Sequence, residues 1–339
     1  MRGHCFIART PEDAISYIKE IVKDGDVIVK SKSLTCEELY LNHHLEDFGC
    51  KVFETDLGEL IIQHLNSRPM HMLSPSIHVP KEKVAELFSS FMGKAIPAEI
   101  PAIVNETKAF LRDVFFKANV GISGANAIAA ETGTIFLIEN EGNGRLVTGL
   151  PKTHIAIAGI EKIVPTLQDG LTVVEVASRY ASYKAPSYVS LISSPSKTGD
   201  IEKQVTYGVH GPSELYLILL DNNRTELIED PTYRQALYCL RCGACQYECP
   251  IFPLTAGYFG YMYMGGIGAI LTAYLIGGMK NSAPIAYICT MCGRCKEYCP
   301  MEIDVPEMIL KLRKGLADQG YVPSQIKEMA EKIRKEGSL

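Results

Sequence analysis

An α/β layer domain followed by an all-α module is the fold that this sequence of 339 residues predicts, and three observations predict it. Over residues 1–230, short β-branched runs alternate with segments of helical period, the mark of a largely parallel sheet covered by helices. From Tyr233 onward the periodicity is helical. Eight of the eleven cysteines fall in that second part, in two copies of one motif. With 47% hydrophobic residues the chain can bury two cores, so residues 1–230 and 231–339 are read as separate domains. Pro231, in IEDPTY at 228–233, is their boundary.

Taken in order, Thr10, Pro11 and Asp13 mark the first helix, with a capping threonine and a proline at the first helical position. Ile15, Ile18 and Ile21 supply its period and Gly25 ends it. VIVKSK (27–32) reads as a buried strand, LTCEELYLNHHLEDFG (34–49) as one helix stopped by Gly49, and KVFETD (51–56) as the next strand. VPKEKVAELFSSFM (79–92) and IVNETKAFLRDVFFKA (103–118) are helical. TGTIFLIEN (132–140), HIAIAGI (154–160), SYVSLISS (187–194) and ELYLILLDN (214–222) are strands. In the second domain RQALY (234–238) leads helically into the first cysteine motif. VPEMILKLRKGL (305–316) sets Met308, Ile309, Leu312 and Leu316 on one helix face, and PSQIKEMAEKIRKEG (323–337) is a further amphipathic helix.

The cysteine motifs are CLRCGACQYECP at 239–250 and CTMCGRCKEYCP at 289–300, offset by fifty residues at every cysteine. Each reads C-x-x-C-x-x-C-x-x-x-C-P, the spacing with which three neighbouring thiolates hold one 4Fe-4S cube while the fourth reaches the other. Ligation is therefore expected to interleave. Cys239, Cys242, Cys245 and remote Cys299 would hold one cluster, and Cys289, Cys292, Cys295 and remote Cys249 the second. Pro250 and Pro300 redirect the fourth cysteine, and Gly243 and Gly293 let the backbone approach inorganic sulfide. Four-cysteine zinc sites also use C-x-x-C pairs, but they need two cysteines per half-site and not a third and fourth at these offsets. A disulfide framework fits neither the chain's size nor the absence of a secretory signal.

A net charge of -5 and a pI near 6.0 give no electrostatic case for nucleic-acid binding. The start, MRGHCFIARTPEDA, lacks an apolar core of signal-peptide length, so a reducing cytoplasm is expected. Cys5, Cys36 and Cys50 read as incidental or buried thiols. Residues 254–279 carry no charge over twenty-six residues, long enough to span a bilayer. If Cys249 and Cys289 meet at one cube, however, the two ends of this stretch cannot stand about 30 Å apart. It is read as a Gly-rich connector packed over the clusters and excluding water, with a partner interface or peripheral membrane contact left open and no transmembrane span. SGAN (123–126) is followed by neither a G-x-G-x-x-G nor a Walker pattern, and no flavin signature is evident. Neither NAD nor flavin is expected on this chain.

In the first domain, Lys30 and Lys32 at a strand end, Glu131 and Thr132 in a Gly-flanked turn, Asn140 and Asn143 around Gly142, and His154 are candidates for a ligand site. They would converge at the carboxyl ends of the strands, where open α/β sheets bind ligands, and would suit a small carboxylate or phosphate. The competing reading makes Glu131, Asn140 and Asn143 turn caps and His154 a satisfied core histidine. No catalytic residue is identified.

Six polar clusters stand in order ahead of the cysteine motifs: KSKSLTCEELYLN (30–42), ETDLGELIIQ (54–63), VGISGANAIAAETGTIFLIENEGNGR (120–145), LPKTHIAIAGIEKIVP (150–165), SPSKTGDIE (194–202) and GVHGP (208–212). Together, over about residues 20–320, they resemble the lactate-utilisation (LUD) family, nearest to its iron-sulfur subunit. That resemblance implies a first domain of sugar-isomerase and CoA-transferase-like α/β fold. The helical flanks and spacer of the second domain are similar to the all-α dicluster module of succinate dehydrogenase and heterodisulfide reductase iron-sulfur subunits. The implied role is single-electron relay in NAD-independent oxidation of L- or D-lactate, with a flavoprotein or a cysteine-rich heterodisulfide-reductase-type subunit as partner. A different donor, such as glycolate or a thiol-disulfide couple, and a ligand-sensing first domain are the alternatives. The chain departs from bacterial members of the family in being shorter at both ends and in carrying Cys289 where they often have serine.

Overall fold

Local chemistry sets the opening elements. A strand, β1 (Gly3–Ala8), ends just before Thr10, whose hydroxyl accepts from the Asp13 amide while the Asp13 carboxylate accepts from the amides of Thr10 and Arg9. This reciprocal cap, with Pro11 at the first helical position, starts α1 (Pro11–Ile21). The computed structural model describes residues 2–181 and 185–337. The chain divides into two units, Met1–Asn222 and Asn223–Leu339, ahead of Pro231, because the helix that follows Asn223 packs within the second unit.

The first unit continues through β2 (Val27–Lys30), α2 (Leu34–Glu38), α3 (Leu41–Asp47), β3 (Lys51–Glu54), α4 (Leu57–Leu65), α5 (Lys81–Met92) and α6 (Ile100–Lys117). The single helix expected over 34–49 is two, because Tyr40 takes a left-handed φ of 47° between them. There follow β4 (Val120–Ser123), β5 (Ala127–Ala129), β6 (Thr134–Glu139), α7 (Asn143–Gly149), β7 (Thr153–Gly159), β8 (Ile163–Val164) and α8 (Leu167–Tyr180). β9 (Tyr188–Ile192), β10 (Lys197–Thr198), β11 (Thr206–Tyr207) and β12 (Glu214–Leu220) complete the unit.

Six strands form one sheet in the order β1-β12-β7-β4-β2-β3, parallel throughout as expected. A second sheet, β8-β5-β6-β9, is mixed and was not expected, since the sequence shows strands but not which sheet they join. Side chains alternate across the parallel sheet. Ile28, Ile122, Ile155 and Ile218 bury one face against Ala14 and Ile18 of α1 and Leu41 and Leu45 of α3. Val29, on the opposite face, packs with Leu60 of α4, Phe88 of α5 and Leu111 of α6. β4 lies in the middle of the sheet, and Gly121 is what lets α7 approach it. A Cβ there would stand 1.9 Å from the Val147 carbonyl oxygen.

The second unit is helical: α9 (Arg224–Glu229), a 3-10 turn Tyr233–Tyr238, α10 (Ala244–Tyr247), α11 (Phe252–Thr255), α12 (Gly265–Leu271), a π-turn Thr272–Ile276, α13 (Gly278–Ile288), α14 (Arg294–Glu297), α15 (Val305–Asp318) and α16 (Ser324–Glu336). The predicted face of α15, Met308, Ile309, Leu312 and Leu316, is fully buried, and the helix packs on α12 and α13. The uncharged stretch is interior over its middle, with Ile267, Ala269, Ile270 and Leu271 buried, while Leu254 and Tyr258 near its start are exposed. Among the described residues no helix is long and apolar enough to cross a membrane.

Candidate functional site

The two cysteine motifs repeat in backbone as well as in sequence. Cys239 and Cys289 are both extended, Arg241 and Met291 both left-handed at φ 62° and 55°, and Gly243 and Gly293 both left-handed at φ 79° and 84°. Each loop then enters a single helical turn, α10 or α14. Two left-handed points in so short a stretch curl the chain until its amides face sulfur. The Met291 amide donates to Cys289 Sγ at 3.4 Å, and the Ala244 amide donates to Cys242.

Cys249, the last cysteine of the first motif, lines the same cavity as Cys289, Cys292 and Cys295 of the second. Cys245 of the first motif lines that cavity too. Electrostatic neighbourhoods follow the same crossing: Cys242 and Cys245 both feel Cys239 and Cys299, whereas Cys289 and Cys295 both feel Cys249. Burial pushes the Cys245 thiol well up, and pushes Cys295 up to about 12 with further contributions from Cys289 and Cys292. Such thiols become thiolates when a cationic metal centre stands among them. Among the described residues no three His, Cys, Asp or Glu side chains are grouped to hold a metal ion at a point. Five of the eight thiols, Cys245, Cys249, Cys289, Cys292 and Cys295, line one cavity and offer it a soft all-sulfur donor set of the kind that holds an iron-sulfur cube.

The apolar connector contributes to the lining of this cavity. Phe259 and Gly266 are in the lining, and a Cβ at Gly266 would lie 3.9 Å from Cys289 Sγ. Arg294 of the second motif donates to Glu248 of the first at 2.9 Å, tying the loops together. Arg313 is a further residue of this centre, and its place on α15 gave no signal in the sequence. Its guanidinium donates to the carbonyl oxygens of Ala286 and Cys289 and lies 3.2 Å from Met291 Sδ. It thus holds the loop that carries Cys289 and places a positive charge beside it.

In the first unit the structure brings together three of the seven candidate ligand residues. Lys30, Lys32 and Asn143 meet at the carboxyl ends of β2 and β3. Thr55 Oγ1 joins two of them by donating to the Lys30 carbonyl and accepting from Asn143 Nδ2. Lys30 is fully buried and ion-paired with Glu37 at 2.9 Å and Glu54 at 2.7 Å. Burial disfavours its charge, but the two carboxylates outweigh burial and hold it protonated well above its ordinary range. Lys32 lies 3.3 Å from Glu59. These acids escaped the sequence reading because Glu54 and Glu59 look like ordinary surface charges next to apolar neighbours.

The other four lie apart. Glu131 accepts from the Leu167 amide at 2.7 Å and Asn140 from the Ser187 amide at 2.9 Å, both bracing turns. The Thr132 hydroxyl pairs with Thr134 at 2.7 Å in the mixed sheet. His154 sits beside Ile155, which is in register with Ile122 and, through it, Lys30, so strand alternation puts His154 on the face opposite Lys30. There its Nε2 shares a hydrogen bond of 2.8 Å with Ser123 Oγ.

Burial lowers His154 to about 4, so the native ring is neutral. Because the unfolded chain, with a histidine pKa of roughly 6.5, takes up that proton first, the stability this creates is fully present above that pH. It is lost as pH falls towards 4, by about 3 kcal/mol in total. Hydrogen exchange of the β4 and β7 amides, corrected for intrinsic rates, is expected to show this loss of protection between pH 7 and 4.5. A His154→Gln variant should show a flatter profile, and an equally steep loss in that variant would assign the effect elsewhere.

Comparison with known proteins gives two family matches, the LUD domain over residues 1–220 and the 4Fe-4S dicluster domain over residues 235–303. The chain is 39% identical over 325 residues to a protein of Shouchella clausii (strain KSM-K16) named "Lactate utilization protein B", covering 94% of this chain and 66% of that one. It is 36% identical over 327 residues to the protein of the same name in Bacillus subtilis (strain 168), covering 95% and 66%. An Escherichia coli (strain K12) protein named "Uncharacterized electron transport protein YkgF" is 36% identical over 322 residues, covering 94% and 66%. The chain thus spans 66% of the length of these curated relatives. A solved DUF162 family protein from Deinococcus radiodurans aligns with 54% of this chain and 98% of its own at 20% identity and a TM-score of 0.25, too slight a likeness to bear on the fold.

Proposed function

The chain belongs to the LUD domain family and carries a 4Fe-4S dicluster domain, and from that premise we propose that it is the iron-sulfur electron-transfer subunit of an NAD-independent lactate dehydrogenase complex. The observation that carries this reading is the crossing of the motifs, with Cys249 in the cavity of Cys289, Cys292 and Cys295. Two cubes held by interleaved thiolates come close together, which suits the passage of single electrons from one to the other. Cys239, Cys242, Cys245 and Cys299 hold one, and Cys289, Cys292, Cys295 and Cys249 hold the other. When bound, the clusters supply one-electron acceptance and release; hydride removal from lactate takes place on a partner, a flavoprotein or a cysteine-rich heterodisulfide-reductase-type subunit. The residues of this chain tune and shield that relay. The amides of Met291 and Ala244 donate to sulfur, Arg313 adds positive charge beside Cys289, and Phe259 contributes an apolar wall. The relatives named for lactate utilisation support the donor, and a cytoplasmic setting agrees with free thiols.

The test is electron paramagnetic resonance of the chain mixed anaerobically with its co-purified partners. Lactate is expected to reduce the clusters within the mixture and to leave the isolated chain oxidised. Lactate oxidation by the isolated chain would overturn the division of labour. A second reading keeps the relay and changes the donor, and the relative named only for electron transport favours it. Reduction by glycolate or a dithiol, with none by lactate, would establish it.

A further inference from the structure

The first unit contains a cleft that the electron-relay role does not use. It has a volume of about 640 Å³, in the range that holds an organic ligand. α6 forms one wall, α7 the other, and the loops after β3 and β6 the floor. Helical spacing sorts the α6 wall into two rows, since residues four apart stand on one face. Thr107, Leu111 and Phe115 form the inner row, which continues into the core. Val104, Lys108, Arg112 and Phe116 form the outer row along the rim.

Three features set this cleft apart from an ordinary surface groove. Its rim is unusually apolar for exposed positions: Val104 is 41% exposed, Phe116 71%, and Leu146 and Leu150 on the facing wall 39% and 45%. Clustered apolar side chains left in water mark a surface that something covers. Within that apolar rim stand two cations one turn apart, Lys108 and Arg112, neither of which takes part in an ion pair among the described residues. At the floor, Thr55 and Asn143 hydrogen-bond to each other, and the Glu141 carboxylate accepts from the Leu57 amide at 3.4 Å. The Glu141 side chain is open to solvent in part, yet desolvation first and Asp56 second push its carboxyl up to about 7. The lining therefore sets two uncommitted cations and one acid, all open to solvent, among apolar side chains.

We infer that this cleft binds an organic monocarboxylate with an apolar body, its carboxylate at Lys108 and Arg112 and its hydrocarbon on Leu111, Phe115, Leu146 and Leu150. Arginine offers the planar fork that matches a carboxylate, and lysine adds a second charge. A protein partner would need no concavity with a polar floor, and a small inorganic anion would gain nothing from the apolar walls. The site is distinct from the buried Lys30 cluster, shares only Asn143 and Thr55 with its edge, and does not depend on the cluster reading.

The test is isothermal titration calorimetry of the full-length protein, prepared anaerobically, with octanoate as the probe. Saturable binding at one site is expected, with 1-octanol and acetate each at least about tenfold weaker, because each lacks one half of the recognition. Lys108→Ala combined with Arg112→Ala should weaken octanoate at least about tenfold. Leu146→Glu, at an exposed position that the fold tolerates, should abolish binding. Lys117→Ala, exposed on the same helix but outside the cleft, should leave it unchanged. Octanol binding as tightly as octanoate, or an unchanged affinity in the double variant, would overturn the anion subsite. Absence of octanoate binding would overturn the site. So would sedimentation showing that the chain self-associates and that Leu146→Glu separates the copies, since a second copy would then be the occupant.

Discussion

Cys249→Ala is expected to destroy or convert the cluster at Cys289, Cys292 and Cys295 while sparing the one at Cys239, Cys242 and Cys245, which are its own neighbours in sequence. The expectation runs against chain proximity and follows from the shared cavity and from the electrostatic pairing of Cys249 with Cys289 and Cys295. About half of the iron should be lost, or one cube should become a three-iron species with a distinct paramagnetic resonance signal. Cys299→Ala should do the same to the other cluster. Damage confined to the centre adjacent in sequence in both variants would show that each motif serves its own cube.

Gly121→Val is expected to be the most damaging substitution in the first unit. β4 is a central strand and α7 lies directly over it, so the new Cβ would meet the Val147 carbonyl oxygen at 1.9 Å and its carbon at 2.9 Å. Neither atom belongs to a side chain that could swing aside. The helix must lift or the strand must shift, at a cost of about 3 kcal/mol or more. Loss of soluble protein, or a urea midpoint lowered accordingly, is the expected result, and Gly149→Ala, where an added Cβ meets nothing, is the control.

The same glycine explains part of what the sequence hid. VGIS at 120–123 is a buried central strand, but the glycine that close packing requires interrupts its apolar run and makes it look like a loop. β1 escaped notice because most of it is exposed, with no alternation to read. α8 was legible and unread: Thr166 and Asp169 form the same reciprocal cap as Thr10 and Asp13, which identified α1. The strands at 27–32, 154–160 and 214–222 were plain because buried parallel strands read as runs rich in valine, isoleucine and leucine. In the second unit the helix face of Met308, Ile309, Leu312 and Leu316 was equally plain, since 3.6-residue periodicity survives in a single sequence.

Site residues divided along similar lines. The eight cysteines proposed as cluster ligands stand out by spacing, because cluster ligation demands fixed offsets along a chain. The cluster around Lys30 could not be assembled, because Glu37, Glu54 and Glu59 reach it from different elements and only tertiary structure shows that they converge. Arg313 belongs to the same class: an ordinary basic residue on a helix until its carbonyl partners at Ala286 and Cys289 are known. Glu131 and Asn140 stood out as polar residues near glycine, and turn bracing accounts for both.

Metal and sulfide analysis of the anaerobically purified chain tests the central claim most directly. Two interleaved cubes require about eight irons and about eight labile sulfides per chain, with the brown colour of sulfide-to-iron charge transfer and reversible bleaching by a one-electron reductant. Stoichiometric zinc in a colourless protein, with no labile sulfide, would contradict it.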